Sequence, residues 1–448
     1  MRAVCAIAGL TLRAAVRSRA LPAVALLLVA LAVALPMTLR GDGTPAGEVQ
    51  ILLQYTLNAA NFLLALCACW FGCAAVSAEL EDQRLFLVLT KPVSAAQLWL
   101  GKWLGLLLLL ALLQAVTGAT AYGLLRWRTR PGALSPAATQ ILHTEILTAR
   151  RLIRPEPPDF AAAARAEYER RAAAGDLPPD LGPAAIIRLL EDQYRAGAGA
   201  VPPGLQRRWI FPVGTDTPAA LSLRFRAASS APEAEEPLFL VWVAGAPERS
   251  DRWIERLEAQ PNAVYTLALP DDAVAADGAL TVDVANLSPG GATAVFPAED
   301  GVLLLVPAGG FALNYLRALS IQFARLALLA AVGLTAGCIF TLPVAALLTG
   351  WTALLLSLGG YVGTMARSSH TITDTPLFEP FFRALFLGLD YLLTPLRLPP
   401  VLEWVSTGEW VGWGLVARTW IWRCGIYAGL LWLLAVVVLR RRELGAPV

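Results

Sequence analysis

Apolar residues run in blocks at both ends of the chain, and the middle is polar. Runs near 21–39, 51–77 and 103–125 are long enough to cross a hydrocarbon core, which takes about 20 residues. A fourth run, fed by the apolar stretch 311–325, reaches about residue 341; Pro343 breaks the chain, a fifth occupies 344–363, and the last covers 419–439. The apolar stretch 381–393 is too short to span and predicts an interfacial or re-entrant helix. Between the third and fourth runs the pattern changes twice. Helical spacing covers 138–154, 160–174 and 183–196, with breakers at Asp176, Pro178, Pro179 and Gly182 and a linker at 197–204. From about 206 the period becomes two: Leu221, Leu223 and Phe225 alternate with Ser222, Arg224 and Arg226, and similar runs follow at 238–243, 265–269, 280–285, 294–297 and 302–306.

The expected architecture is therefore an α-helical polytopic membrane protein of about six spans, with an inserted extracytoplasmic α+β domain containing a β-sandwich. Its parts are an N-terminal membrane segment (1–125), a helical segment (126–204), a sandwich (205–310) and a C-terminal membrane segment (311–448). Composition agrees: of 448 residues, 56% are hydrophobic and only 16% charged, too apolar for an ordinary soluble chain. Residues 1–20 carry Arg2, Arg13, Arg17 and Arg19 among Val4, Ile7, Leu10 and Leu12, the pattern of an interfacial amphipathic helix. Those arginines, the lysines at 91 and 102, and Arg440–Arg442 all flank spans, so the positive-inside rule places both termini in the cytoplasm. Arg126, Arg128 and Arg130 then stand on the outer side, at the start of a domain long enough to cross regardless of charge. The six cysteines lie in or beside apolar runs, which argues against a disulfide framework. In the second run Gln54, Asn58 and Asn61 share a helical face with Ala65, Ala68 and Gly72. Polar groups avoid lipid, so this stripe reads as interhelical hydrogen bonding or as a wall of a substrate path or dimer seam.

The most informative stretch is 78–102. Acidic Glu79, Glu81 and Asp82 precede an amphipathic segment with Leu80, Leu85, Val88 and Leu89 on one face. Lys91-Pro92 stops it, because the residue before proline is pushed out of the helical region. Ser94 is placed to cap a second short helix that leads into Gly101-Lys102. The stretch reads as two short helices at a membrane surface. Lys91 and Lys102 are the only lysines in an arginine-rich chain, which points to contacts where a compact ammonium is needed.

The order of acidic residues, leucine-rich turn, Lys-Pro-Val-Ser and Gly-Lys-x-x-Gly resembles the first cytoplasmic loop of export-type ATP-binding-cassette (ABC) permeases. That family usually has Gly-Thr after the acidic residues and Arg after the serine; here Asp82-Gln83-Arg84 and Ala95 stand instead. The resemblance implies an ATPase-coupling loop of Glu79, Glu81, Arg84, Leu89, Lys91, Pro92, Val93, Gly101 and Lys102, with Ser94 and Gly105 matching the same pattern. It further implies a separate ABC ATPase that holds ATP and Mg, a second permease copy or homologue, a bacterial cytoplasmic (inner) membrane location, and export of an unidentified substrate. No catalytic residue, metal site, nucleic-acid partner or resident cofactor is expected in this chain. It has no GxxxxGK[ST] loop, no HExxH and no GxSxG, and only two histidines, His143 and His370. The alternative is a non-transporting scaffold or receptor whose outer sandwich binds a ligand or an envelope partner.

Overall fold

The computed structural model describes residues 1–18, 20–39, 45–81, 93–130, 139, 142–177, 182–214, 220–230, 236–297, 300–367, 379–397 and 399–441. The chain forms two compact units: residues 1–149 with 309–448, and residues 150–308.

The first unit is helical. Helix α1 (Arg2–Arg17) is amphipathic, with charges on one side and Ala8 buried on the other. After Ser18 comes α2 (Ala20–Thr38). Helix α3 runs through Pro45–Gln50, a π-helical segment Ile51–Tyr55, and Thr56–Glu81. Helix α4 (Ala95–Arg128) follows. After the inserted unit come α7 (Phe311–Ile339), α8 (Leu342–Arg367), α9 (Glu379–Leu393), the short α10 (Val401–Ser406), and α11. The last is built from Trp413–Trp420, a π-helical segment Ile421–Tyr427, and Ala428–Arg441. Among the described residues, five stretches are long and apolar enough to cross a membrane: Leu21–Thr38, Gly47–Ser77, Ala95–Arg128, Phe311–Ile339 and Trp413–Arg441. Leu342–Leu358 is a shorter apolar helical stretch. Pro343 sits at the start of α8 rather than interrupting a helix, where its missing N–H costs nothing.

Two expectations change in this unit. The second short surface helix, 94–102, is not separate. It is the first turns of α4, whose 34 residues extend about 51 Å at 1.5 Å per residue, well beyond a core of about 30 Å. Likewise 311–325 is not an interfacial lead-in but the first half of α7. In both places leucine- and alanine-rich sequence contains no breaker, so the helix continues past the bilayer boundary.

The second unit holds helices α5 (Phe160–Ala174) and α6 (Pro183–Gly197), packed through Ala164, Ile186 and Leu190. Asp159 caps α5 and Gly175, in the left-handed region, ends it. The strands are β1 (Thr148–Ile153), β2 (Ala200–Val201), β3 (Gln206–Pro212), β4 (Ser222–Arg226), β5 (Ala228–Ser229), β6 (Leu238–Ala244), β7 (Trp253–Ala259), β8 (Val264–Ala268), β9 (Ala279–Asn286), β10 (Ala294–Val295) and β11 (Val302–Gly310). They form sheets ordered β1-β11-β4-β8, β2-β10-β5 and β3-β9-β6-β7. In β6 the alternation is complete: Leu238, Leu240, Trp242 and Ala244 are buried, and the residues between them are half-buried. One core joins residues of all three sheets, including Phe225, Trp242, Val284, Ala294 and Leu304. Phe225 of β4 meets Trp242 of β6 at 4.5 Å between ring centroids, and Trp209 and Phe296 complete the aromatic cluster.

The expected helix over 138–154 is corrected here. A single π turn at Leu142–Ile146 gives way to strand β1, which pairs with β11. A ladder partner overrides the local helix preference of Ala149, Arg150 and Arg151. The segment 126–204 therefore contributes strands as well as helices. Strand β7 was not anticipated: Trp-Ile-Glu-Arg-Leu-Glu-Ala carries alternate charges because it is a sheet edge, and charge there discourages pairing with another chain.

Candidate coupling site

The start of α4 is fixed by its own sequence. Ser94 Oγ accepts from the Gln97 N–H and Gln97 Oε1 accepts from the Ser94 N–H, both at 3.2 Å, a reciprocal capping box. One turn on, Gly101 and Gly105 lie under α1. A Cβ at Gly101 would sit 2.7 Å from Ile7 Cβ and 3.0 Å from the Val4 carbonyl; one at Gly105 would sit 2.8 Å from the Ala8 carbonyl. The two glycines of the Gly-Lys-x-x-Gly motif thus form the groove in which the N-terminal helix lies.

Lys102, between them, points the other way. Only 3% exposed, it donates to the Ala75 carbonyl at 2.6 Å and pairs with Glu79 at 2.7 Å. The ammonium ties the end of α3 to the start of α4, across the chain segment that joins them. Tryptophans extend the attachment. Trp99 Nε1 donates to Thr335 Oγ1 at 3.2 Å, Trp103 Nε1 to the Ala327 carbonyl at 3.0 Å, and Trp432 Nε1 to the Ala96 carbonyl at 3.3 Å. A displacement of this helix end is therefore felt directly by α1, α3, α7 and α11.

Of the loop residues singled out in the sequence, Glu79 and Lys102 are brought together, Gly101 faces α1 instead, and Val93 is half-buried just before the cap. Arg84, Leu89, Lys91 and Pro92 lie outside the described residues, as does the side chain of Glu81. Lys102 is turned inward, so its contact is with the chain's own α3.

The polar stripe of the second run is split. The π segment at Ile51–Tyr55 adds a residue to the turn. Gln54 accepts from Gln50 Nε2 at 2.9 Å, Asn58 is exposed and Asn61 is buried. The small residues beyond them face α7. A Cβ at Gly72 would lie 3.0 Å from the Ala330 carbonyl, and one at Gly337 2.6 Å from the Cys73 carbonyl. Ser77 Oγ donates to the Gly337 carbonyl at 3.3 Å, and Cys73 Sγ and Thr349 Oγ1 lie 3.4 Å apart. This close crossing went unread in the sequence, although Gly333-x-x-x-Gly337 within an apolar run is its usual signal.

The inserted unit holds a charged cleft of about 210 Å³, lined by residues that include Arg249, Asp251, Arg252, Trp253 and Asp272. Its charges answer one another: Arg249 pairs with Asp251 at 2.7 Å and Asp272 at 2.9 Å, and that hydrogen bond holds the Asp251 carboxyl down at about 2. Deeper in the fold Asp283 joins Arg208 at 2.7 Å and Arg252 at 2.9 Å. Among the described residues no three metal-capable side chains cluster.

Among the described residues, five helices long and apolar enough to cross a membrane, with a β-rich unit between the third and the fourth, are the arrangement of a polytopic membrane protein. Residues 5–148 match the family model described as ABC-2 family transporter protein. No curated protein matches the chain. Permeases of this family are typically non-catalytic and work with an ABC ATPase subunit.

Proposed function

We propose that this chain is the membrane-spanning subunit of an export-type ABC transporter. It would hold about six spans, with Leu342–Leu358 and the remainder of α8 as the sixth beside the five longer helices. Both termini would lie in the cytoplasm of a bacterium and the 150–308 unit outside, folded as a sandwich around its shared aromatic core. A separate ATPase would bind ATP and Mg and dock on the 79–102 loop. A second copy or homologue would complete the pore. The observation that carries this reading is the family match over the first three membrane helices, which includes the loop. The Glu79–Lys102 tie and the tryptophan bonds of α4 supply a route: a push on the loop moves the base of four helices as one body.

The scaffold or receptor reading would need a ligand site in the inserted unit. The cleft there already matches its main cation, Arg249, with two carboxylates, so no specific observation favours it. The test is ATP hydrolysis in proteoliposomes by the ABC ATPase encoded nearest to this chain, measured with and without the permease. A rate that changes several-fold on adding the permease supports the proposal. An unchanged rate with both proteins inserted and folded refutes it.

A further inference from the structure

Helix α1 is seated on α4 by one face. Val4, Ile7, Ala8 and Thr11 stand over the groove at Gly101 and Gly105, where an added Cβ would lie 2.7 Å from Ile7 Cβ or from Thr11 Cβ. At 3.6 residues per turn these four positions share an arc of about 100°. Arg2, Arg13 and Arg17 share an arc of about 60° on the opposite side, and all three are exposed. No acidic residue interrupts this stripe: α1 has none, and the first in the chain is Asp42. The stripe runs from the first residue of α1 to its last, about 22 Å at 1.5 Å per residue.

Two further observations say what faces the stripe. Leu10 on one side of it is 64% exposed, and Val16 on the other is 53% exposed. Apolar side chains flanking a basic stripe suit the boundary between hydrocarbon and headgroups rather than water. The stripe also ends where the chain enters the bilayer, since the span beginning at Leu21 follows Arg17 within one helical turn. Arginine stems are long enough to lie along apolar surface and bring their guanidiniums to headgroup level. There the planar fork matches a phosphate. A zwitterionic lipid offsets its phosphate with its own ammonium, so the net cationic stripe is complementary to anionic phospholipids.

We propose that Arg2, Arg13 and Arg17 form a binding surface for anionic phospholipid headgroups, and that this contact holds α1 in its glycine groove and so steadies the start of α4. The inference needs a bilayer around the chain but neither a substrate nor an ATPase, so its test stands apart from the transport reading. The full-length protein is placed in nanodiscs of phosphatidylcholine alone, or with one quarter phosphatidylglycerol, and amide hydrogen exchange is read in α1 and in residues 95–105. A nanodisc offers the same lipid on both faces, so the side on which α1 lies does not matter. Each arginine near an anionic surface is worth a factor of about five. Exchange in α1 should therefore slow by at least about fivefold with phosphatidylglycerol, and residues 95–105 should slow with it.

The triple variant Arg2→Gln, Arg13→Gln, Arg17→Gln should lose the response, and the control Arg440→Gln, Arg441→Gln should keep it. All five side chains are exposed, so both variants should fold as wild type does. That pattern supports the proposal. Equal exchange in the two kinds of disc, a slowing that the triple variant retains, or a slowing that leaves residues 95–105 unchanged overturns it. The nearest-encoded ABC ATPase, added to phosphatidylcholine discs, tests a protein as the occupant. Protection of α1 by the ATPase, with none from phosphatidylglycerol, also overturns the proposal.

Discussion

At the scale of single residues the two partners of the Glu79–Lys102 pair are not equivalent. Lys102 is almost wholly enclosed, whereas the Glu79 side chain is 38% exposed. Replacing Lys102 by Met leaves a carboxylate that water can reach, at a cost of about 1–2 kcal/mol. Replacing Glu79 by Ala leaves a buried ammonium with only the Ala75 carbonyl, and costs more, about 3 kcal/mol. Thermal unfolding of the detergent-solubilised protein should therefore rank Glu79→Ala below Lys102→Met; the reverse order would mean that the ammonium is not the buried partner. The same geometry accounts for lysine at 102 in a chain that otherwise uses arginine. A point-like ammonium between a carbonyl and a carboxylate leaves no room for a guanidinium fork. Asp283 gives a second residue-level test. Burial alone would raise its pKa, but hydrogen bonds from Arg208 and Arg252 outweigh this and hold it below the ordinary carboxylate value. A depressed folded-state pKa stabilises above the unfolded value of about 3.9 and is lost as pH falls through the folded value. Hydrogen exchange in β3 and β9, corrected for intrinsic rate, should stay flat from pH 7 to about 4 and rise below. In Asp283→Asn it should be faster at pH 7 and less dependent on acid.

At the scale of elements the close crossing of α3 and α7 depends on glycine. At Gly337 a Cβ meets the Cys73 carbonyl at 2.6 Å, and backbone cannot step aside as a side chain can. Gly337→Ala should lower stability by about 1–3 kcal/mol. Gly123, in α4 with nothing within 4 Å, should tolerate alanine or gain up to about 1 kcal/mol. Equal effects at the two sites, read from melting curves, would contradict the packing described here. The elements also show what could be read in the sequence and what could not. Spans announced themselves because every backbone group in a bilayer must be satisfied within the helix, which forces long apolar runs. The cap at Ser94 and the alternation of β4, β6 and β9 were equally plain, whereas the reciprocal bond from Gln97 was not read. Strand β1 was misread because only its end residues, Thr148 and Ile153, favour a strand, and the rest depends on pairing with β11. The charged edge strand β7 was missed for a similar reason, since its partner on one side is β6 and on the other there is none among the described strands. The loop motif was legible as a type, but the inward turn of Lys102 was not. Whether a lysine faces a partner or its own α3 depends on a residue 23 positions away.

At the scale of the whole molecule the account places the 150–308 unit and the 79–102 loop on opposite sides of the membrane. A cysteine introduced at Ser250 in a variant lacking Cys5 should react with a membrane-impermeant maleimide in intact cells. One introduced at Gln83 should react only after permeabilisation. Equal labelling of both in intact cells would contradict the proposed orientation. The π-helical segments in α3 and α11 belong to the same scale, because both lie in spans that would line the permease half and each carries a buried polar residue in or just beyond it.

The most direct test of the central claim is co-purification of the nearest-encoded ABC ATPase with the detergent-solubilised chain, comparing wild type with the double loop variant Glu81→Arg, Lys91→Glu. The account predicts that the ATPase is retained by wild type and lost from the variant, while both proteins keep the same melting temperature. Retention by both, or by neither when both are folded, would contradict the assignment of residues 79–102 as the coupling loop.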